Sequence, residues 1–343
     1  MTITCPRGIK IASSIIFLGT GADPYIVGKG KRSAAGIILQ INDNQFHIDP
    51  GPGSLLMAKQ MELNLRATTA ILVSNTDIYK SNDLNVVIDA MTYSGFDKKG
   101  VLITNKSVIH GSEKNHPVIT NFHRDCLERF IVLGPEKRVG INEVEIQALK
   151  TSSNESHSIG FKFYTPDFTL SYSSVTKYSA EIAEQYKNSG ILILDLANPD
   201  KDNNKGLSRD DVIKIISRVS PKLVLLTGFG NKMIEADPLY EAREIQKETG
   251  VQIIAAKDGL VISPGSYSAH EGQRTFSTFS DQSKKAEIRQ PEEDMPEKEP
   301  ESDKSPSEII DSSKIHPEIK EEEQKTISQT TEEEQLHNQQ NNL

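Results

Sequence analysis

The stretch from Ala70 to Asp83, A-I-L-V-S-N-T-D-I-Y-K-S-N-D, constrains the fold more than any other part of the chain. Ala70 to Val73 form an unbroken apolar run, a polar loop follows, and a helical pattern begins at Leu84 with Val87, Ile88 and Met91 at helical spacing. A strand that is apolar without alternation is covered on both faces, as in a parallel sheet flanked by helices. Polar side chains gathered where such a strand ends are where α/β proteins place their chemistry.

The same grammar recurs along the chain. Ala12 to Leu18 reads as a first strand, closed by the turn Gly19-Thr20-Gly21. Residues 22–33 read as a loop with a small basic cluster. Ala35–Ile41 and Gln45–Ile48 form a hairpin through Asn42, Asp43 and Asn44. Ser54 is expected to cap a helix through Leu55, Leu56 and Met61. Gly100–Thr104, Arg129–Leu133 and Glu143–Lys150 read as strands, and residues 105–128 as a polar connection. Gly160–Tyr164 and Phe168–Tyr172 make a second hairpin. Helices at 179–187, 209–219 (capped by Ser208) and 238–249 alternate with strands at 190–194, 223–226, 251–255 and 259–263. Two β-rich halves, each followed by α/β segments, predict two sheets packed face to face with helices outside.

Charge separates the chain into parts. The 343 residues carry a formal charge of −9, with 48 acidic and 39 basic residues. Residues 281–343 hold 18 acidic and 8 basic ones, a charge of −10, which leaves residues 1–280 with 30 acidic and 31 basic, or +1. The low pI therefore belongs to the tail. That tail has no Phe, Tyr or Trp, and only scattered apolar residues such as Ile309, Ile310, Ile315 and Ile319. It cannot bury enough surface to offset chain entropy and is expected to be disordered. The 309–319 region is a candidate anchor for a protein partner. The organisation expected is a folded domain over 1–264, a linker over 265–280 and an acidic tail over 281–343. Cys5 and Cys126 form neither a disulfide framework nor a CxxC metal site. With no membrane span expected, the chain reads as soluble and cytoplasmic.

The segments Phe17–Gly21, His47–Gly53, Leu72–Ser74 with its loop, Gly160–Phe161, Ser171–Ser173, Leu192–Asp195 and Leu225–Gly230 occur in an order that resembles the metallo-β-lactamase fold, closest to its archaeal ribonuclease Z-like branch. The resemblance covers roughly residues 12–263. It implies an α/β four-layer αββα sandwich with a site along one edge. It also implies one or two zinc ions held by a His-x-His-x-Asp-His motif, a further His, a bridging Asp and a final His.

This chain departs from that pattern at every ligand. The motif positions fall on Asn75, Asp77, Tyr79 and Lys80; the later His, Asp and His fall on Ser153, Val175 and Gly228. Zinc takes Cys, His and carboxylate ligands. An ammonium about 4 Å from a unit positive charge costs roughly 4 kcal/mol at an effective dielectric near 20. Lys80 is expected to pair with Asp77 or Asp49 and so replace the metal's charge. On this reading no metal and no catalysis are expected, and the protein acts as a binding or scaffold subunit. The resemblance supplies a precedent, inactive members that pair with an active homologous subunit in RNA processing, and an ancestor-like homodimer. The alternative is a divergent phosphodiesterase that holds zinc, Mn²⁺ or Mg²⁺ on Asp49, Asp77, Asp83, Asp195 and His157.

Other residues have plainer roles. Asp49 reads as a carboxylate that orders its loop, and His47 as a satisfied structural histidine. His110, His116 and His123 read as surface residues. Ser74, Ser153 and Ser173 lie near the cleft without a nucleophile elbow. Lys29, Lys31 and Arg32 could meet RNA phosphates.

Overall fold

The computed structural model describes residues 13–113, 115–155, 157–201 and 206–267. Cys5, the first residue of the expected opening strand, most of the linker and the acidic tail lie outside them. Fourteen strands among these residues form two seven-stranded sheets. The first sheet takes β1 (Ser14–Phe17), β2 (Ile37–Ile41), β3 (Asn44–Ile48), β4 (Thr68–Val73), β5 (Val101–Thr104) and β6 (Arg129–Val132). The second takes β7 (Arg138–Ile141), β8 (Val144–Lys150), β9 (Ile159–Tyr164), β10 (Thr169–Tyr172), β11 (Ile191–Asp195), β12 (Leu223–Thr227) and β13 (Gln252–Ala255). The last strand, β14 (Val261–Ile262), returns to the first sheet and pairs antiparallel with β1.

Each sheet runs antiparallel at one side and parallel at the other. In the first, β3, β4, β5 and β6 are mutually parallel. In the second, β10 to β13 are. The apolar run at 70–73 is the central parallel strand β4, and β11 and β12 are likewise central, parallel and buried. Between the sheets lies one core, which includes Phe17, Phe46, Leu72, Phe161, Phe163, Ile193 and Leu225.

Helices cover the outer faces. The first half contributes α1 (Pro24–Gly28), α2 (Ser54–Gln60), α3 (Ile78–Ser81), α4 (Leu84–Thr92), α5 (Lys106–His110) and α6 (Asn121–Asp125). The second half contributes α7 (Ala180–Gln185), α8 (Arg209–Val219), α9 (Asn231–Glu235) and α10 (Pro238–Thr249). Leu84, Val87, Ile88 and Met91 pack on Ile71, Val73 and Leu102, as their spacing requires. Ser208 and Asp211 close a reciprocal capping box on α8. No helix among the described residues is long and apolar enough to cross a membrane.

Three expectations are corrected. The residue before α2 is Gly53, not Ser54. The Ser54 hydroxyl donates to the Ala35 and Gly51 carbonyls, and the Asp83 carboxylate accepts from the Gly53 and Ser54 N–H groups instead. The polar segment 105–128 holds two short helices capped by Asn105 and Thr120, and the loop 22–33 holds α1, capped by Asp23 with Pro24 at its first position. Shortness masked all three helices, since each is only five residues long and shows no helical period.

His47 is buried but only partly satisfied. Its Nε2 lies 3.4 Å from the Ala35 carbonyl, and its Nδ1 has no partner. Burial lowers its pKa to about 4, from 6.5. A depressed His keeps its contribution above pH 6.5 and loses it as pH falls, because the unfolded chain takes up the proton first. We expect His47→Leu to remove a slope of about 1.4 kcal/mol per pH unit between pH 6.5 and 4. Urea melts of both proteins across that range measure it; parallel pH profiles would contradict it.

Candidate functional site

The parallel strands of both sheets end at one edge of the sandwich. Past β3 comes Asp49, past β4 the loop Ser74–Lys80, past β10 Ser173 and Ser174, at the end of β11 Asp195, and past β12 Gly228. Backbone bonds tie the two halves here. The Ile159 N–H donates to the Ser74 carbonyl at 3.0 Å, and Gly21 and Phe229 form a parallel bridge.

At the centre is a buried network. The Lys80 Nζ donates to Asp195 Oδ2 at 2.7 Å and to the Tyr172 hydroxyl at 3.0 Å. Tyr172 donates in turn to Asp49 Oδ2 at 2.6 Å. Asp49 also accepts from the Ser74 N–H at 2.7 Å and the Ser74 hydroxyl at 2.8 Å. The Ser174 hydroxyl donates to that of Ser74 at 2.8 Å, and the Asn75 amide reaches Ser174 at 3.4 Å. The Ser173 hydroxyl accepts from the Asp195 N–H at 3.0 Å. Asp49 and Ser174 hold left-handed backbone at φ +50° and +52°, a cost the surrounding bonds must sustain.

Short α3 sets Lys80 in place. Asp77 caps it by accepting from the Tyr79 N–H at 2.9 Å. Lys80, three residues past the cap, points inward and is 8% exposed; Asp195 is 3% exposed. The expected pairing with Asp77 or Asp49 is corrected. The direct partner is Asp195, from the other sheet, and Asp49 is reached through the Tyr172 hydroxyl.

Protonation follows from burial and charge. Burial alone would lower the Lys80 pKa, but the charges of Asp195 and Asp49 outweigh it and hold the ammonium well above its ordinary value. Burial lifts Tyr172 well above the usual phenol range, with Asp49 adding to the rise. Burial also pushes Asp49 and Asp195 upward, while Lys80 pulls each back down. Lys80 and Tyr172 therefore keep their protons at neutral pH. Neither is a base, and each is held against a carboxylate, Lys80 against Asp195 and Tyr172 against Asp49.

The residues present do not fit a zinc ion. The cation between the sheet ends is an ammonium, and both of its carboxylate neighbours are engaged. Asn75 spends its amide on Ser174 and its carbonyl on the Asp77 N–H. Gly228, at φ +68°, lies against Asp195 so closely that a Cβ there would stand 2.3 Å from the carboxyl atoms. A histidine at 228 has no room with Asp195 where it is. Among the described residues no group of three or more His, Cys, Asp or Glu is placed to hold a metal.

Of the alternative set, Asp77 and Asp195 line one cleft and Asp49 joins Asp195 through Tyr172 and Lys80, whereas Asp83 and His157 turn elsewhere. Asp83 turns to the Gly53 and Ser54 N–H groups. His157, also left-handed at φ +65°, sets its Nδ1 3.0 Å from the Ser107 hydroxyl, on a separate hollow. Ser153 bonds within its own loop, to Glu155, and with Val175 lines a cleft of about 510 Å³. That cleft runs past Asp23, Asn75, Asp77, Lys177, Asp195 and Asn231. Lys29 and Lys31 lie 4.0 and 5.3 Å from the Tyr25 ring centre, whereas Arg32 turns inward to the Thr20 hydroxyl. Sequence reasoning missed Tyr172 as the link between the two carboxylates. Its place in Ser171-Tyr172-Ser173 at a strand end was visible, but its direction across the sandwich was not.

No family model matches this chain. An uncharacterized protein of Methanocaldococcus jannaschii is 28% identical over 251 residues, 72% of this chain and 94% of that protein. Among solved structures, the metallo-β-lactamase fold protein YhfI of Bacillus subtilis superposes with a TM-score of 0.61 at 15% identity, over 73% of this chain and 99% of its own. The short form of human tRNase Z superposes with a TM-score of 0.52 at 14% identity, over 73% of this chain and 98% of its own. The chain has the metallo-β-lactamase fold. Within that fold its edge site is built around a lysine.

Proposed function

We propose that this protein is a binding or scaffold subunit that keeps the metallo-β-lactamase sandwich without zinc hydrolase chemistry. The observation that carries this reading is the Lys80 ammonium, held 2.7 Å from Asp195 and 3.0 Å from Tyr172 between the ends of the two sheets. It supplies the positive charge that joins the halves and, being deeply buried and firmly protonated, offers a substrate neither base nor nucleophile. Gly228 against Asp195 supports the same reading, since it closes the space a ligand side chain would need. The cleft of about 510 Å³ beside the network is the surface left for a ligand, and its size lies within the range of small-molecule sites.

The test is direct. The whole 343-residue chain, purified without chelator, is expected to carry less than ~0.1 zinc per chain by elemental analysis. It should also show no phosphodiesterase turnover with added Zn²⁺, Mn²⁺ or Mg²⁺. About one metal per chain, or metal-dependent turnover abolished by Asp195→Asn, overturns the proposal.

A further inference from the structure

The cleft beside the Lys80 network is richer in acceptors than in donors. Asp23, Asp77, Glu155 and Asp195 line it, against Lys177 and Lys232. With Lys80 counted behind Asp195, four carboxylates meet three ammonium groups, a net charge of −1. Among the described residues no arginine and no aromatic side chain lines it. Single-stranded nucleic acid is held by basic grooves with aromatic platforms. This wall suits neither an anion nor a stacked base.

The four carboxylates differ in what they have left to offer. Asp23 accepts from the Ile26 and Asn231 N–H groups at 2.8 Å, one on each oxygen. Glu155 accepts from the Thr76 N–H at 2.9 Å and, on its other oxygen, from the Thr76 hydroxyl. Both are spent on holding loops. Asp77 uses only Oδ1, on the Tyr79 N–H at 2.9 Å, and has no ion pair among the described residues. Asp195 uses only Oδ2, on Lys80 at 2.7 Å. The charge of Asp77 acts on Asp195 and opposes its ionisation, so the two carboxylates are neighbours. A further acceptor is Asn231, at the start of α9. Its Nδ2 donates to Glu235 at 2.7 Å, while its Oδ1 is buried with no hydrogen-bond partner. An enclosed carbonyl oxygen without a donor is costly, and an N–H group is its complement.

We propose that this cleft binds a small organic cation, a diamine, with one ammonium group between Asp77 and Asp195 and a second donor toward Asn231. The proposal rests on the reading of the cleft as the ligand site of a protein without zinc. Three acceptors are left over there, two of them on carboxylates, and a charge-assisted N–H bond is the strongest contact such oxygens can take. A volume of about 510 Å³ accommodates a ligand of this class.

Calorimetric titration of the whole chain, purified without chelator, tests this. The probe is 1,4-diaminobutane, with 1,4-butanediol and inorganic phosphate as neutral and anionic controls. The diamine is expected to bind with a dissociation constant below ~1 mM, and the controls to give no binding up to ~10 mM. Asp77→Asn keeps a cap on α3 but removes the charge, and is expected to weaken the diamine about 10-fold without lowering the melting temperature. Should that variant melt early, Asn231→Ala is expected to weaken it about 5-fold. No diamine binding at ~10 mM, tighter binding of phosphate or the diol, or diamine binding that neither variant weakens overturns the proposal. Elemental analysis of the same sample separates it from the reading it rests on. About one zinc per chain overturns both, whereas a zinc-free chain that ignores the diamine overturns this proposal alone.

Discussion

Replacing Lys80 by Met is expected to lower the stability of the folded domain by about 3–5 kcal/mol at pH 7, the usual cost of removing one partner of a buried ion pair. The substitution nearly preserves side-chain volume, so the loss is electrostatic. Asp195, 3% exposed, would keep its charge without a counterion, and the Tyr172 hydroxyl would lose a donor. Two further results separate this account from a packing defect. In the variant the folded-state pKa of Asp195 rises further, since burial lifts it and the opposing cation is gone. A carboxylate raised in the folded state binds its proton more tightly there than in the unfolded chain. Its contribution is therefore best below the unfolded value of 3.8 and is lost as pH rises through the raised one. Lys80→Met is thus expected to recover stability relative to wild type on going from pH 7 to pH 5. Adding Asp195→Asn should also recover part of the loss at pH 7, by leaving an amide in place of an unpaired charge. Urea melts of the four proteins at both pH values give the coupling energy. Additive single effects would show that the pair does not act as a unit.

Much of this arrangement was legible from residue types. The apolar runs at 70–73 and 190–194 pointed to buried central strands, because a strand covered on both faces leaves no polar residue to alternate. Helix α4 followed from its spacing, and α8 from its capping residues. At the site, Asn75, Lys80 and Gly228, singled out in the sequence, do stand where the parallel strands end. Local sequence does not specify which carboxylate a lysine meets across a sandwich. Asp49 and Asp77 are near Lys80 along the chain or in the same half, yet Asp195 lies 115 positions away. That pairing is set by the way the two mixed sheets bring the loop after β4 and the end of β11 to one edge. Tyr172 escaped notice for the same reason, because its hydroxyl acts on Asp49, 123 positions away. The short helices α1, α5 and α6 were hidden by their length, their stability resting on caps and packing more than on pattern.

The packing around Gly228 carries the second large expectation. Gly228→Ala is expected to cost more than about 3 kcal/mol, an effect out of proportion to one methyl group. Two terms add. At φ +68° a side chain is strained wherever it points, worth roughly 1 kcal/mol. The new Cβ would also stand 2.3 Å from the Asp195 carboxyl, far inside contact distance. The carboxylate must then move, and with it goes the Lys80 contact, so the cost approaches that of breaking the pair. Gly28→Ala is the matched control. That glycine ends α1, and a methyl group there would meet nothing within 4 Å. Alanine at 28 is expected to be neutral or to stabilise by up to about 1 kcal/mol. Combining Gly228→Ala with Lys80→Met discriminates further. If the methyl acts by displacing Asp195 from Lys80, the double variant should be little worse than the poorer single one. Full additivity would instead place the damage in the backbone at 228 and leave the ion pair intact. In the non-additive case the glycine and the lysine act as one unit: the bare Gly228 leaves Asp195 its place, and Asp195 in turn holds the Lys80 ammonium.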